Sequence, residues 1–63
     1  MTKYAIKKGE RYFTEKNGGW SKDIYKAYLM SFKNAEYNLK EWPKFFKNCE
    51  IITIRETYLR EEV

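Results

Sequence analysis

The sequence predicts an α+β fold: a small antiparallel β-sheet with one helix packed across a face. Three observations carry that expectation. Cys49–Tyr58 (CEIITIRETY) is the clearest strand, an isoleucine-rich run that begins after the turn-like Lys47-Asn48. Thr2–Thr14 reads as a hairpin around Gly9. Residues 32–40 repeat apolar side chains at helical spacing between Ser31 and Pro43. The sheet should therefore hold the N-terminal hairpin, in one reading a short third strand, and the C-terminal strand.

In the hairpin, Tyr4 and Ile6 fall on one face by period two, and Ala5 and Lys7 on the other. Lys8-Gly9-Glu10 is the turn, because glycine alone takes a positive φ without steric cost. Arg11-Tyr12-Phe13-Thr14 returns with aromatic bulk on both faces. Tyr4 is expected to meet Tyr12 or Phe13 across the hairpin. Glu15–Gly19 is a loop, since Asn-Gly-Gly breaks regular structure.

Residues 20–41 admit two readings. One is a single long helix capped by Ser21, with Ile24, Ala27, Tyr28, Ala35 and Leu39 on one face. In the other, Ala27–Met30 is a short strand or extended segment and Ser31 caps a helix over Phe32–Lys40. That helix would bury Phe32, Ala35 and Leu39. Either way it ends by Glu41, because Pro43 disfavours helical geometry at Trp42. Pro43–Asn48 is then a connector of about one helical turn, with Phe45 and Phe46 closing the end of the core. In the final strand, Glu50, Ile52, Ile54 and Glu56 share one face, while Cys49, Ile51, Thr53, Arg55 and Thr57 share the other. Apolar residues on both faces mark an interior strand, or one covered by a helix on one side and a partner on the other. Tyr58–Val63 reads as a frayed charged tail.

A chain of 63 residues is expected to form one domain (1–63). A domain this size buries only about 60% of its unfolded surface. Cys49 is the only cysteine, so no disulfide framework adds stability, and twelve aromatics supply much of the core instead. Met-Thr-Lys lacks the apolar segment of a secretory signal, and no apolar run has the length of a membrane span. The expectation is a cytoplasmic protein that makes no use of a membrane.

Nothing here looks like an active site. The chain has no histidine, so the serines, threonines and Cys49 lack the usual base, and no zinc ligand set exists. Cys49 reads as a small, inert hydrophobe. Glu36 and Glu41 diverge on a helix, and Glu50 and Glu56 are separated by isoleucines. Gly18-Gly19 lacks the Lys-Ser/Thr of a phosphate loop. The expectation is not an enzyme, with no catalytic residue, metal or cofactor.

Two binding signals remain. The net charge is +4, unevenly spread: residues 1–30 carry +4, residues 31–48 carry +2 and residues 49–63 carry −2. Lys3, Lys7, Lys8, Arg11, Lys16, Lys22 and Lys26 alternate with aromatics that include Trp20. On one exposed face they would grip phosphates and stack bases. The plainer alternative is a solvated row of lysines over core aromatics. The second signal is Trp42 with Phe45 and Phe46, an apolar cluster beside a proline among Lys40, Lys44 and Lys47. Together with Lys7, Lys8 and Arg11 it suits a protein contact, since tryptophan often dominates interface energetics. Its plainer alternative is end-capping of the core. A sheet edge also offers pairing with a partner or a second copy.

The order of a Tyr4–Lys7 strand, Gly18–Trp20, the segment Ala27–Ala35 and the strand Glu50–Ile54 resembles a diffuse class of small proteins encoded by phages and prophages of Gram-positive bacteria. Glu41–Phe46 has no counterpart in that pattern. The resemblance implies a ββ(β)αβ fold and a mobile-element origin, and it brings no catalytic residue. It favours the Ser31 start for the helix. The leading expectation is a non-catalytic binding protein that docks on a host or phage protein, as an anti-defence or host-takeover factor. The alternatives are a nucleic-acid-binding accessory protein and a structural homodimer.

Overall fold

The computed structural model describes residues 2–15, 19–56 and 60–62. Among these residues five antiparallel strands form one sheet: β1 (Thr2–Lys8), β2 (Arg11–Phe13), β3 (Trp20–Ser21), β4 (Glu50–Glu56) and β5 (Arg60–Glu62). Their spatial order is β3-β2-β1-β4-β5. A single α-helix, α1 (Phe32–Glu41), packs on one face, and a 3₁₀ turn at Ile24–Lys26 precedes it. The expected α+β architecture is present.

The hairpin turn is Gly9-Glu10, with φ +61° at Gly9 alone, the sign pattern of a type II′ turn. Its register sets Lys7 opposite Tyr12 and Lys8 opposite Arg11, and β2 then runs out. Tyr4 therefore does not meet Tyr12 or Phe13. Its backbone pairs with Met30 instead, donating to Met30 O at 2.9 Å and accepting from Met30 N–H at 2.8 Å. The Tyr4 ring packs edge-on against Phe32, 5.3 Å between centroids. Tyr28 N–H donates to Phe13 O, so residues 28–30 take over the β1 edge where β2 ends. The second reading of residues 20–41 is the observed one, an extended segment followed by a helix.

Ser31 is the helix N-cap, its Oγ accepting from Asn34 N–H at 3.2 Å. Trp42 is the C-cap, with φ −126° and ψ 57°, outside the helical region that the following proline disfavours. After Pro43 the chain makes one more helical turn, with Phe46 N–H bonded to Trp42 O. Asn48 then reverses it at φ +61°, a left-handed conformation that asparagine tolerates well. Along α1 only Ala35 is fully buried; Leu39 is half-buried and Phe32, expected inside, stays 45% exposed. As the first helical residue, Phe32 overhangs the sheet and leans on Tyr4.

The core has two layers because β1 and β4 are apolar on both faces. Under α1 lie Ile6, Met30, Ala35 and Phe46, joined by Phe13, Trp20, Leu39, Cys49 and Ile51. On the opposite face lie Ala5, Tyr12, Ala27 and Ile54, joined by Ile24, Leu29 and Ile52. The helix does not cover that second face; the segment Ile24–Leu29 packs on it. Asp23 starts the 3₁₀ turn by accepting from Tyr25 N–H at 2.9 Å, and Ser21 Oγ accepts from Asp23 N–H. Ser21 thus caps no helix. The small side chains Ala35 and Ala27 are the buried residues that the helix and the segment Ile24–Leu29 contribute to the two layers.

Two strands run against expectation. Trp20-Ser21 pairs with Phe13 and Tyr12 directly after the loop, which Thr14 closes through its N–H and Oγ1, both donating to Gly19 O. Arg60–Glu62, read as part of a frayed tail, is an edge strand on β4. Its register sets Arg55 opposite Glu61 and Glu56 opposite Arg60, opposite-sign residues across the ladder. Tyr58 and Val63 lie outside the described residues.

Ile54 is fully buried on the face that α1 does not touch. Ile54→Ala should lower stability by about 2–5 kcal/mol, read from urea unfolding followed by circular dichroism. Ser31→Ala, which removes only the helix cap, should cost about 1 kcal/mol.

Candidate functional site

Aromatic side chains from three elements meet at one end of the helix-covered face. Phe13 is the hub, with ring centroids 5.7 Å from Trp20, 5.9 Å from Phe45 and 5.1 Å from Phe46. Strand pairing brings Phe13 and Trp20 side by side. The helical turn after Pro43 swings Phe45 and Phe46 over them. Phe45 stacks on Trp20 with an interplanar angle of 29° and meets Phe46 edge-on at 4.9 Å. Such pairs each contribute about 0.5–1.5 kcal/mol beyond area burial.

The cluster is buried at its base and open at its rim. Phe46 is 7% exposed, whereas Phe45 is 41% and Trp42 60% exposed. Phe13, Asn38, Trp42, Phe45 and Phe46 line an apolar depression of about 260 Å³. Asn38 lies one helical turn before Trp42, and its side-chain amide donates to Met30 Sδ at 3.6 Å. On the other side of the cluster, Lys8, Arg11 and Trp20 line a second shallow depression. Lys8 Nζ stands 5.8 Å from the Trp20 ring centroid, a cation–π contact.

The expected binding residues divide across the sheet. Lys8 and Arg11 share the helix-side face with Trp20, Phe45, Phe46 and Trp42. Lys7, grouped with them from the sequence, lies on the opposite face with its Nζ over Tyr12 at 5.4 Å. Lys3 also belongs to that opposite face, in register with Ile54. Lys22 is exposed beside the 3₁₀ turn, and Lys26, within that turn, lines a separate pocket with Trp20 and Tyr28. Lys16 lies outside the described residues. The basic residues therefore form no single stripe. Phe13 and Asn38 belong to the ledge and were not singled out beforehand. The spacing of Asn38 four residues before Trp42 was the available signal for one of them.

Among the described residues no three His, Cys, Asp or Glu side chains gather where a metal ion would bind. No described helix is long and apolar enough to cross a membrane. Cys49 is half-buried, with Sγ 3.7 Å from Lys47 O. Burial pushes its thiol pKa up, and the positive charge of Lys8 offsets part of that rise. No family model, curated protein or solved structure matches the chain.

A raised thiol pKa leaves little thiolate at neutral pH. Iodoacetamide at neutral pH should alkylate Cys49 more slowly in the native protein than in urea, with mass spectrometry as the readout. The same shift stabilises the fold below the thiol's unfolded pKa. That contribution should disappear as pH rises through the folded value.

Proposed function

We propose that this protein is a non-catalytic docking module. Its contact surface is the ledge formed by Trp42, Phe45 and the rim of Phe46, flanked by Lys8 and Arg11. One observation carries the reading: two large aromatic side chains, Trp42 and Phe45, remain exposed where they line an apolar depression with Phe13 and Phe46. Aromatic anchors of this kind, held in a fixed orientation, lose little entropy on binding and dominate interface energetics.

Nucleic-acid binding draws less support. The Trp20 ring expected to stack bases is already engaged by Phe13, Phe45, Phe46 and Lys8. The cations expected to track a phosphate backbone lie on two faces of the sheet. A phage or mobile-element origin, and a host or phage protein as the target, follow from the resemblance noted in the sequence. In that setting the module acts by occupying a surface on its target.

Affinity capture from host lysate, with and without nuclease, tests this reading. The wild-type chain should retain a protein partner after nuclease treatment. Trp42→Ala should weaken that capture at least tenfold, a loss in the range of a binding hot spot, while leaving the circular dichroism spectrum unchanged. Capture that vanishes with nuclease would replace the docking reading with nucleic-acid binding. A Trp42→Ala chain that no longer folds would make Trp42 a core residue.

A further inference from the structure

Resting on the docking reading, we infer the chemistry of the partner: an acidic segment that carries one large apolar residue. The apolar side chain fills the depression between Asn38, Trp42 and Phe45. Its carboxylates meet Lys8 and Arg11.

The argument is charge complementarity at a defined geometry. Lys8 and Arg11 are cross-strand neighbours, so their side chains leave the sheet on the same face. Both are exposed. Neither forms an ion pair with a described residue; the contact of Lys8 is with the Trp20 ring. Two cations with no carboxylate partner among the described residues thus stand across the Trp20–Phe45 stack from the apolar depression, within the span of one extended peptide segment. Lys44 and Lys47, in the same turn as Phe45 and Phe46, are exposed and add positive charge along that side. The acids nearest in sequence are Glu10 in the hairpin turn and Glu41 at the end of α1, both exposed. They leave the surroundings of the ledge net positive.

A protein segment fits this arrangement better than a nucleic acid does. A polynucleotide needs a continuous track of cations and free aromatic faces. Here Lys3 and Lys7 lie on the other face, and Trp20 is already stacked. An acidic peptide with a single apolar anchor needs only two cations and one depression. Rim charges of this kind speed encounter and select the partner, while the buried anchor sets the residence time.

The test is selection of a displayed library of random linear peptides against the purified protein, followed by affinity measurement on the best synthetic peptide. Enriched sequences should carry one large apolar residue flanked by Asp or Glu. Lys8→Glu/Arg11→Glu should weaken the best peptide about tenfold, the scale of two exposed charge pairs. Lys8→Gln/Arg11→Gln should give an intermediate loss, and both variants should keep the wild-type urea midpoint. Enrichment without an acidic excess, or affinity unchanged in both charge variants, would overturn the inference. In that case, binding still abolished by Trp42→Ala would leave the docking surface standing. Tighter binding of a labelled single-stranded oligonucleotide than of any peptide would overturn both.

Discussion

Strand β1 is hydrogen-bonded along both edges and packed on both faces, and the other elements take their positions from it. On one edge β4 runs antiparallel to it through six residue pairs, from Thr2–Arg55 to Lys7–Glu50. On the other edge β2 covers only Lys7 and Lys8, and Met30 completes the pairing at Tyr4. Its two fully buried residues, Ala5 and Ile6, point to opposite layers. The chain must therefore supply two covers for one sheet. It builds one from α1 and the other from the short segment Ile24–Leu29.

That constraint explains both the economy of the fold and its surplus. Each cover buries a small residue against the sheet, Ala35 on one side and Ala27 on the other. Aromatic rings fill what remains, with Phe13 and Phe46 closing the end of the helix-side layer. Pro43 stops α1 and starts a further helical turn, which carries Phe45 beyond the point where the core is already sealed. Trp42, at the C-cap, is likewise outside it. These two rings stay exposed at the edge of the closed core, and that exposure is what the docking proposal rests on.

Much of this architecture was legible because the signals were local. Ser31 as a cap, Gly9 as a turn, Pro43 as a stop and the two-faced strand at Glu50–Glu56 each rest on chemistry within a few residues. Two strands escaped notice because edge pairing is made by backbone. Trp20-Ser21 is too short to show a period, and Arg-Glu-Glu has no apolar pattern at all. The contact between Tyr4 and Met30 depends on β2 ending early, which no local pattern records. For the candidate site, Trp42, Phe45 and Phe46 stood out by composition alone. The grouping of Lys7 with Lys8 was avoidable, since neighbours in a strand point to opposite faces. The role of Phe13 as the base of the ledge required the tertiary fold, because its neighbours come from β3 and from the turn after Pro43.

The central claim is that folding uses Phe46 and leaves Trp42 and Phe45 over. Equilibrium urea unfolding of two variants tests it most directly. Phe46→Ala should lose about 3–5 kcal/mol of stability or fail to fold, as a buried aromatic does. The double variant Trp42→Ala/Phe45→Ala should lose less, about 1.5–3 kcal/mol, from two exposed rings and the three ring pairs that Phe45 makes with Phe13, Trp20 and Phe46. A double variant as destabilised as Phe46→Ala would contradict the account, because the ledge would then be part of the core.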